Sequence, residues 1–312
     1  KLKYPNLKVI VNAGGSRKTI KIAEEYRDLP NFTILEQKGG KRKASLGKIK
    51  ALNETLDSVS EGLLYFIDAD CYLTDEVLLR IILPIINYGE DVVVGGIRPL
   101  KGQENNDLVR YIELRRISFA KKKYKRYRQD MVGGASTCMK YDVMNSVGRF
   151  NEDRNIAEDV SRGKDISEKG YKIFFLNHYR SKIYTEYPDS LKEYYNVRKR
   201  YFENDLIKAV RENHVTPIIK LLILFILSLY IVLTPLLAMF KVSFLFFGLI
   251  LILSFYLKRV RRYFFFNLVF KNNNYPPFNS ILFMKIMFYI IFEISTNIIA
   301  LLLILLNYRS IL

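Results

Sequence analysis

Residues 63–70, Leu-Leu-Tyr-Phe-Ile-Asp-Ala-Asp, place an uncharged apolar run directly before two carboxylates. The run is short and comes after the turn signal Glu61-Gly62, which favours a strand of a buried parallel sheet over part of an amphipathic helix. Ligands of open α/β sheets bind at the carboxyl ends of strands. Asp68 and Asp70 therefore suit a hard divalent cation such as Mg²⁺ or Mn²⁺ that holds nucleotide phosphates. The alternative is a surface turn in which the aspartates only cap the next element of the chain.

Short apolar segments alternate with segments of helical periodicity in the first part of the chain. The predicted strands are residues 8–11, 32–35, 63–67 and 92–94, and the predicted helices include 19–26, one that begins at Gly47-Lys48, and 76–87. This alternation predicts an α/β fold with a largely parallel sheet.

The beginning of the second predicted helix is a possible phosphate site. Free backbone amides and the Lys48 ammonium group would point at the same anion there. A solvated basic loop explains the segment equally well. The loop from Asn12 to Ser16 contains a Gly pair that would allow a ligand to approach, although turn geometry alone also requires such residues.

Two later segments are candidates for the acceptor and the base. Residues 133–137 are Gly-Gly-Ala-Ser-Thr, which would line an acceptor pocket or pack tightly against a sheet. Glu158 and Asp159 open a predicted helix, where acidic residues favour the helix dipole. A carboxylate at that position that faced the cation site would instead serve as a general base.

The residues after 216 are the most apolar part of a chain that is 50% hydrophobic. Residues 221–240 carry no charge and match the roughly 20 residues that a helix needs to cross a bilayer. Residues 242–257 and 281–306 predict two further transmembrane helices. The basic cluster at residues 258–262 favours the cytoplasmic side, and with it a cytoplasmic N-terminal region. The sequence thus predicts a multi-pass protein of the cell membrane.

The net charge of +18 restricts the class of partner. The basic residues cluster without any recognisable nucleic-acid module, so anionic lipid headgroups and a diphosphate fit better than nucleic acid. Cys71 and Cys138 form no disulfide framework, which agrees with a reducing compartment. Two histidines, His178 and His214, make a histidine-built zinc site improbable.

An ordered set of motifs resembles the membrane-bound family 2 glycosyltransferases, of the cellulose, chitin and hyaluronan synthase type. The motifs are Gly47-Lys48 before Ala51-Leu52-Asn53, Asp68-Ala69-Asp70, Gly133 to Thr137, Glu158-Asp159, Thr185-Glu186-Tyr187-Pro188 and Arg198-Lys199-Arg200-Tyr201. The resemblance covers about residues 7–205. It implies a GT-A domain at 1–188 whose first strand would precede residue 1, an interfacial amphipathic helix at 189–216 and a membrane region at 217–312.

The resemblance also implies an inverting transfer from a nucleotide-diphosphate sugar and a role for each matching residue. Asp68 and Asp70 would hold the donor and its Mg²⁺ or Mn²⁺ ion, with Asp70 favoured as the direct ligand, and Lys48 would contact the diphosphate. Asp159 corresponds to the family's base, and Glu158 would support it. The matching residues near the acceptor and the diphosphate are Gly134, Ser136, Thr137, Arg198, Arg200 and Tyr201.

Several departures from the family pattern keep alternatives open. Val197 and Tyr201 replace the family's Gln and Trp, which weakens the prediction of a processive polymerase. Asn12 and Ala13 replace aspartates that read the nucleobase, so the motif does not fix the donor nucleotide. A UDP-sugar is the favoured donor, and a GDP-sugar is the alternative. The expected function is transfer to a polysaccharide or glycolipid acceptor. The alternatives are single addition to a polyprenyl phosphate and a catalytically silent membrane scaffold. A transporter is a further alternative, based on Glu293 in an apolar segment.

Overall fold

The structure is a computed structural model of the 312-residue chain. It describes residues 6–14, 17–37, 44–121, 127–128, 132–152, 158–176, 178–211, 215–269 and 280–306. The chain divides into two compact units. The first comprises residues 1–98 and 125–185, and the second comprises residues 99–124 and 186–312.

The strands lie in or at the end of the first unit. They are β1 (Val9–Ala13), β2 (Phe32–Glu36), β3 (Leu63–Ile67), β4 (Cys71–Tyr72), β5 (Val92–Gly95), β6 (Ile97–Pro99), β7 (Tyr127–Arg128), β8 (Ser136–Lys140), β9 (Ile173–Leu176) and β10 (Ile183–Thr185). The predicted strand at 63–67 is confirmed residue for residue.

The helices divide between the two units. Those of the first unit are α1 (Arg17–Glu24), α2 (Ala44–Leu56), α3 (Asp75–Tyr88), α5 (Tyr141–Val147) and α6 (Glu158–Glu168). Those of the second unit are α4 (Asp107–Lys121), α7 (Leu191–Arg211), α8 (Val215–Phe240), α9 (Val242–Val269) and α10 (Ser280–Leu306).

The main sheet is mixed, with the described strands in the order β3-β8-β5-β9-β7. β5 and β9 pair in parallel, but β8 lies antiparallel to both β3 and β5. Separate small sheets contain β1 with β2, in parallel, and β4, β10 and β6. The prediction of an α/β fold is confirmed, whereas the prediction of a largely parallel sheet is wrong. The prediction failed because residues 136 and 137, which were interpreted as part of a pocket, begin strand β8. This strand lies between β3 and β5 and runs antiparallel to both.

The core of the first unit forms around β5 and α3. Val92, Val93 and Val94 are almost completely buried, as expected for a strand enclosed on both faces. The Thr74 side chain accepts a hydrogen bond from the Val77 N–H and so caps α3. Gly89 ends the helix in the left-handed conformation that glycine adopts without steric cost. The two signals place α3 one residue beyond its predicted bounds at each end.

The helix that carries Lys48 begins earlier than predicted. α2 starts at Ala44, so Lys48 lies in the second helical turn rather than at the N-terminus. Only the first turn of a helix has unpaired N–H groups. The prediction that backbone amides at Gly47 and Lys48 point at an anion is therefore wrong, and Lys48 offers its ammonium group alone.

Helices alone make up the described C-terminal part of the second unit. α8 and α9 form a hairpin that depends on a glycine, because a Cβ atom built at Gly248 would lie 2.3 Å from Thr234 Oγ1.

Among the helical residues that the structure describes, none provides a segment both long and apolar enough to span a membrane. This finding does not support the predicted spans at 221–240, 242–257 and 281–306. α7 is the helix predicted within residues 189–216, and Ser190 Oγ accepts the Glu193 N–H at its start. Its interfacial position stays a prediction.

The packing around β5 predicts a difference between two adjacent glycines. A Cβ atom at Gly95 would lie 2.6 Å from Ser136 Oγ and 3.0 Å from the Ser181 carbonyl, whereas at Gly96 it would meet only the flexible Lys182 side chain, at 3.2 Å. We expect Gly95→Ala to lower the free energy of unfolding by about 1–3 kcal/mol. Gly96→Ala is the matched control and should stay close to wild type. Equal denaturant midpoints for the two variants would contradict this account.

Candidate active site

Lys48 joins two carboxylates that come from different elements. Its Nζ atom lies 2.8 Å from Asp68 Oδ1, just after β3, and 2.8 Å from Glu158 Oε1, in the first turn of α6. Partial burial lowers the pKa of Lys48, but the hydrogen bonds to Asp68 and Glu158 outweigh it, so the pKa lies above its ordinary value. Lys48 is therefore a permanent cation between two anions. The sequence predicted all three residues as site residues.

Asp159 lies beside this ion pair in a more enclosed position. Its Oδ1 atom accepts the Val160 N–H at 2.9 Å, and its carbonyl oxygen accepts the Val132 N–H at 3.1 Å. Burial raises the pKa of Asp159, as does the neighbouring Glu158 carboxylate, and these effects exceed the opposing influence of the Val160 N–H and Lys48. A carboxylate with a raised pKa is a stronger proton acceptor, which suits a general base.

Gly134 stands where these side chains converge. A Cβ atom at this position would lie 3.5 Å from Lys48 Nζ, 3.9 Å from Asp68 Oδ2 and 4.0 Å from Asp159 Cβ. Glycine thus leaves free the space that a side chain would take between the ammonium group and the carboxylates. The structure brings together Lys48, Asp68, Gly134 and the pair Glu158-Asp159, which come from four separate segments of the sequence.

Asp70 comes after Asp68 in a tight turn, in which the Cys71 N–H donates to the Asp68 carbonyl at 3.1 Å. The Cys71 thiol lies 3.6 Å from Asp70 Oδ1. Burial, together with the neighbouring Asp70 carboxylate, raises the pKa of the Cys71 thiol to about 11. Asp68 and Asp70 supply the oxygen ligands that Mg²⁺ and Mn²⁺ prefer. No cluster of three or more His, Cys, Asp or Glu side chains that could hold a metal occurs in the described part of the chain. Two carboxylates are sufficient where substrate phosphates complete the coordination.

Ser136 and Thr137 have internal partners in β8. Ser136 Oγ lies 2.7 Å from the Tyr65 hydroxyl, and Thr137 Oγ1 donates to the Gly133 carbonyl at 2.6 Å. Both side chains are buried. They fix the segment that contains Gly134, and contact of either with an acceptor stays a prediction.

Asn12 faces α2 at the end of β1. Its Nδ2 donates to the Ala51 carbonyl and to Glu54 Oε2, both at 3.0 Å. Its Oδ1 atom is buried and has no hydrogen-bond partner among the described residues. Nucleobase recognition by Asn12 stays a prediction.

The other predicted site residues lie on α7, in the second unit. Arg198 pairs with Glu293 of α10, at 3.5 Å, and the Arg200 guanidinium lies 5.8 Å from the centre of the Tyr201 ring. Arg115 of α4, which the sequence analysis missed, lies 2.9 Å from the same Glu293. The sequence does contain a signal for Arg115, because Tyr111 lies one helical turn earlier on the same face of α4. The Tyr111 hydroxyl donates to Glu293 Oε2 at 2.6 Å. The Glu293 carboxylate is thus satisfied within its unit.

The chain resembles known proteins over part of its length. Residues 1–146 match the family model described as Glycosyl transferase family 2. No curated protein matches the chain. Among solved structures, the chain is similar to crystal structures of S. aureus TarS and of its residues 1–349 in complex with UDP. Each match has 18% identity, a TM-score of 0.42 and 66% coverage of this chain, and the chain covers 35% and 58% of the two TarS chains.

The raised pKa of Asp159 predicts that its ionised carboxylate lowers the free energy of unfolding at neutral pH. A carboxyl group whose pKa is higher in the folded chain stabilises the fold below its ordinary pKa and loses that contribution as the pH rises through the folded-state value. We therefore expect Asp159→Asn to melt at a higher temperature than wild type at pH 7, and the difference to shrink towards pH 4. The exposed Glu61→Gln is the control and should show no such trend. A less stable Asp159→Asn protein at pH 7 would be contrary to this electrostatic account.

Proposed function

We propose that this chain, whose residues 1–146 match the Glycosyl transferase family 2 model, is a glycosyltransferase that transfers a sugar from a nucleotide-diphosphate sugar to a polysaccharide or glycolipid, with inversion at the anomeric carbon. The observation that supports this most is the convergence of Lys48, Asp68 and Asp159 around the side-chain-free position Gly134. A cation, a potential metal ligand and a partly buried base are the groups that an inverting transfer requires.

The donor diphosphate is the ligand that Lys48 fits. Its ammonium group pairs with Asp68 and Glu158 in the structure, and it is partly exposed to solvent. A diphosphate would exchange one carboxylate partner for phosphate oxygens, which form strong charge-assisted hydrogen bonds. We favour a UDP-sugar as the donor, with a GDP-sugar as the alternative. Asn12 is the candidate for contact with the nucleobase.

Asp68 and Asp70 would hold the Mg²⁺ or Mn²⁺ ion, because both come directly after β3 and Asp68 Oδ2 borders the free space at Gly134. The metal, when bound, stabilises the negative charge that develops on the departing diphosphate. The chain itself contributes the Lys48 charge to that same group. Asp70 is the carboxylate that Lys48 does not engage, which supports it as the direct ligand.

Asp159 takes the proton from the acceptor hydroxyl as its oxygen attacks the anomeric carbon. The new glycosidic bond forms on the face opposite the bond to the diphosphate, which breaks with its electron pair, so one displacement inverts the configuration. Glu158 raises the pKa of Asp159 through its charge and thereby increases the basicity of Asp159. Arg198, Arg200 and Tyr201 remain candidates for contact with the acceptor or the diphosphate.

Asp159→Asn tests the assignment of the base. The amide keeps the size of the side chain but cannot accept the proton, so we expect turnover to fall by about 10² or more, with donor affinity nearly unchanged. Transfer is measured with radiolabelled donor, and donor affinity by competition with the free nucleoside diphosphate. Wild-type turnover in this variant would remove Asp159 as the base.

The identity of donor and product distinguishes the alternative functions. Membranes that contain the protein are incubated with a panel of labelled UDP- and GDP-sugars and Mg²⁺ or Mn²⁺, and the product is sized. Label in a long polymer supports a polysaccharide synthase, and label in extractable lipid supports single addition to a polyprenyl phosphate. Hydrolysis or transfer that Asp70→Ala abolishes excludes a silent scaffold, whereas no reaction with any donor supports it.

We also propose that the chain is attached to the cytoplasmic face of the cell membrane through its C-terminal helices. The end of α8 and the start of α9 expose large apolar side chains, namely Met239, Phe240, Val242 and Phe246. Contiguous apolar surface of this kind favours contact with lipid or with another protein.

Fractionation of cells tests this attachment. We expect the full chain to sediment with membranes after washes in high salt and alkaline carbonate, and to be released by detergent, because apolar contacts do not respond to salt. A cytosolic enzyme is the control for trapped soluble protein. Recovery of the chain in the supernatant without detergent would contradict the proposal.

A further inference from the structure

Asn53 holds a short segment that joins α5 to the region before α6. Its Nδ2 donates to the Phe150 carbonyl at 3.0 Å, and its Oδ1 accepts the Phe150 N–H at 2.9 Å. The side chain is buried, with 3% of its surface exposed. Asn53 lies five residues after Lys48 on α2, so the helix that positions Lys48 is fixed to Phe150 by two hydrogen bonds.

Arg162 holds the same segment from α6. Its guanidinium group donates to the Gly148 carbonyl and, at 3.4 Å, to the Arg149 carbonyl. It also lies 4.5 Å from the centre of the Phe150 ring. Arg162 is 1% exposed, and burial lowers its pKa to about 10, so the group still carries its charge at neutral pH. It lies one helical turn after Glu158, within the helix that carries Asp159.

The Phe150 ring completes the connection to the main sheet. It packs edge to face against Phe66, with 6.0 Å between ring centres. Phe66 lies in β3, two residues before Asp68. One residue therefore contacts α2, α6 and β3, which are the three elements that position Lys48, Asp159 and Asp68.

We infer that Phe150 and its two clamps, Asn53 and Arg162, are positioning residues that set the distances between the donor-binding and base residues. All three act through the elements that they join. The inference rests on the proposed function, since it concerns the reaction of that same site. Displacements of about 1 Å at a catalytic group can cost about 10² in rate.

The two clamps are expected to affect different kinetic constants. Asn53→Ala releases α2 and so Lys48, which should raise the KM for the nucleotide-sugar donor about tenfold. Arg162→Met keeps the apolar stem but releases α6 and so Asp159, which should lower kcat about tenfold or more with little change in KM. Arg162→Lys retains one donor to the Gly148 carbonyl and should recover part of kcat. A merely structural role would change only the amount of folded enzyme, which is measured separately.

The exposed ion pair between Arg149 and Asp57 supplies the matched control. It joins the same segment to the end of the same helix, α2, but at the surface, where such pairs contribute little. Arg149→Gln and Asp57→Asn should therefore leave kcat, KM and stability close to wild type. If Asn53→Ala and Arg162→Met equal these controls in both kinetic constants, the positioning role is overturned.

Amide hydrogen exchange separates this inference from the proposed function. The Phe150 N–H, which donates to Asn53, should exchange faster in Asn53→Ala than in wild type and in Asp57→Asn, whether or not the protein transfers sugar. Unchanged exchange would overturn the clamp itself. Faster exchange together with a wild-type protein that is inactive towards every donor would refute the proposed function and leave the clamp standing.

Discussion

The site depends on the ammonium group of Lys48, which lies between carboxylates that would otherwise repel each other. Asp68 follows β3, Glu158 and Asp159 lie in the first turn of α6, and the like charges of carboxylates held close together oppose each other. Lys48 compensates only part of this negative charge. A diphosphate is itself an anion, so the site needs additional positive charge before it can accept one, which agrees with a divalent cation at Asp68 and Asp70.

The residues of the centre could be predicted from the order and spacing of several motifs, because no single local signal was decisive. The apolar run before Asp68 identifies β3 to the residue, and acidic residues before a helical pattern identify the start of α6. The order of the motifs then relates Lys48 to both. No local pattern in the sequence shows that these side chains converge, because the contact between Lys48 and Glu158 joins elements that are distant in the sequence.

Two polar features of the sequence have partners that only the folded structure reveals. Ser136 and Thr137 are polar and small, so they indicate a pocket, yet Tyr65 and Gly133 satisfy their hydroxyl groups inside the sheet. Glu293 in an apolar helix is the basis of the transporter alternative, and arginine and tyrosine side chains from α4 and α7 surround it. Ser136 and Glu293 thus have partners far away in the sequence, which composition alone does not reveal.

The position of β8 has a consequence for biosynthesis. β3 is hydrogen-bonded to β8 alone within the described main sheet, and its partner residues extend from Ser136 onward. β5 likewise pairs only with β8 and β9 among the described strands, and both are later in the chain. During translation both strands are complete long before any partner leaves the ribosome. Their apolar edges stay open during that interval, which exposes the nascent chain to aggregation and gives chaperones a defined period in which to act.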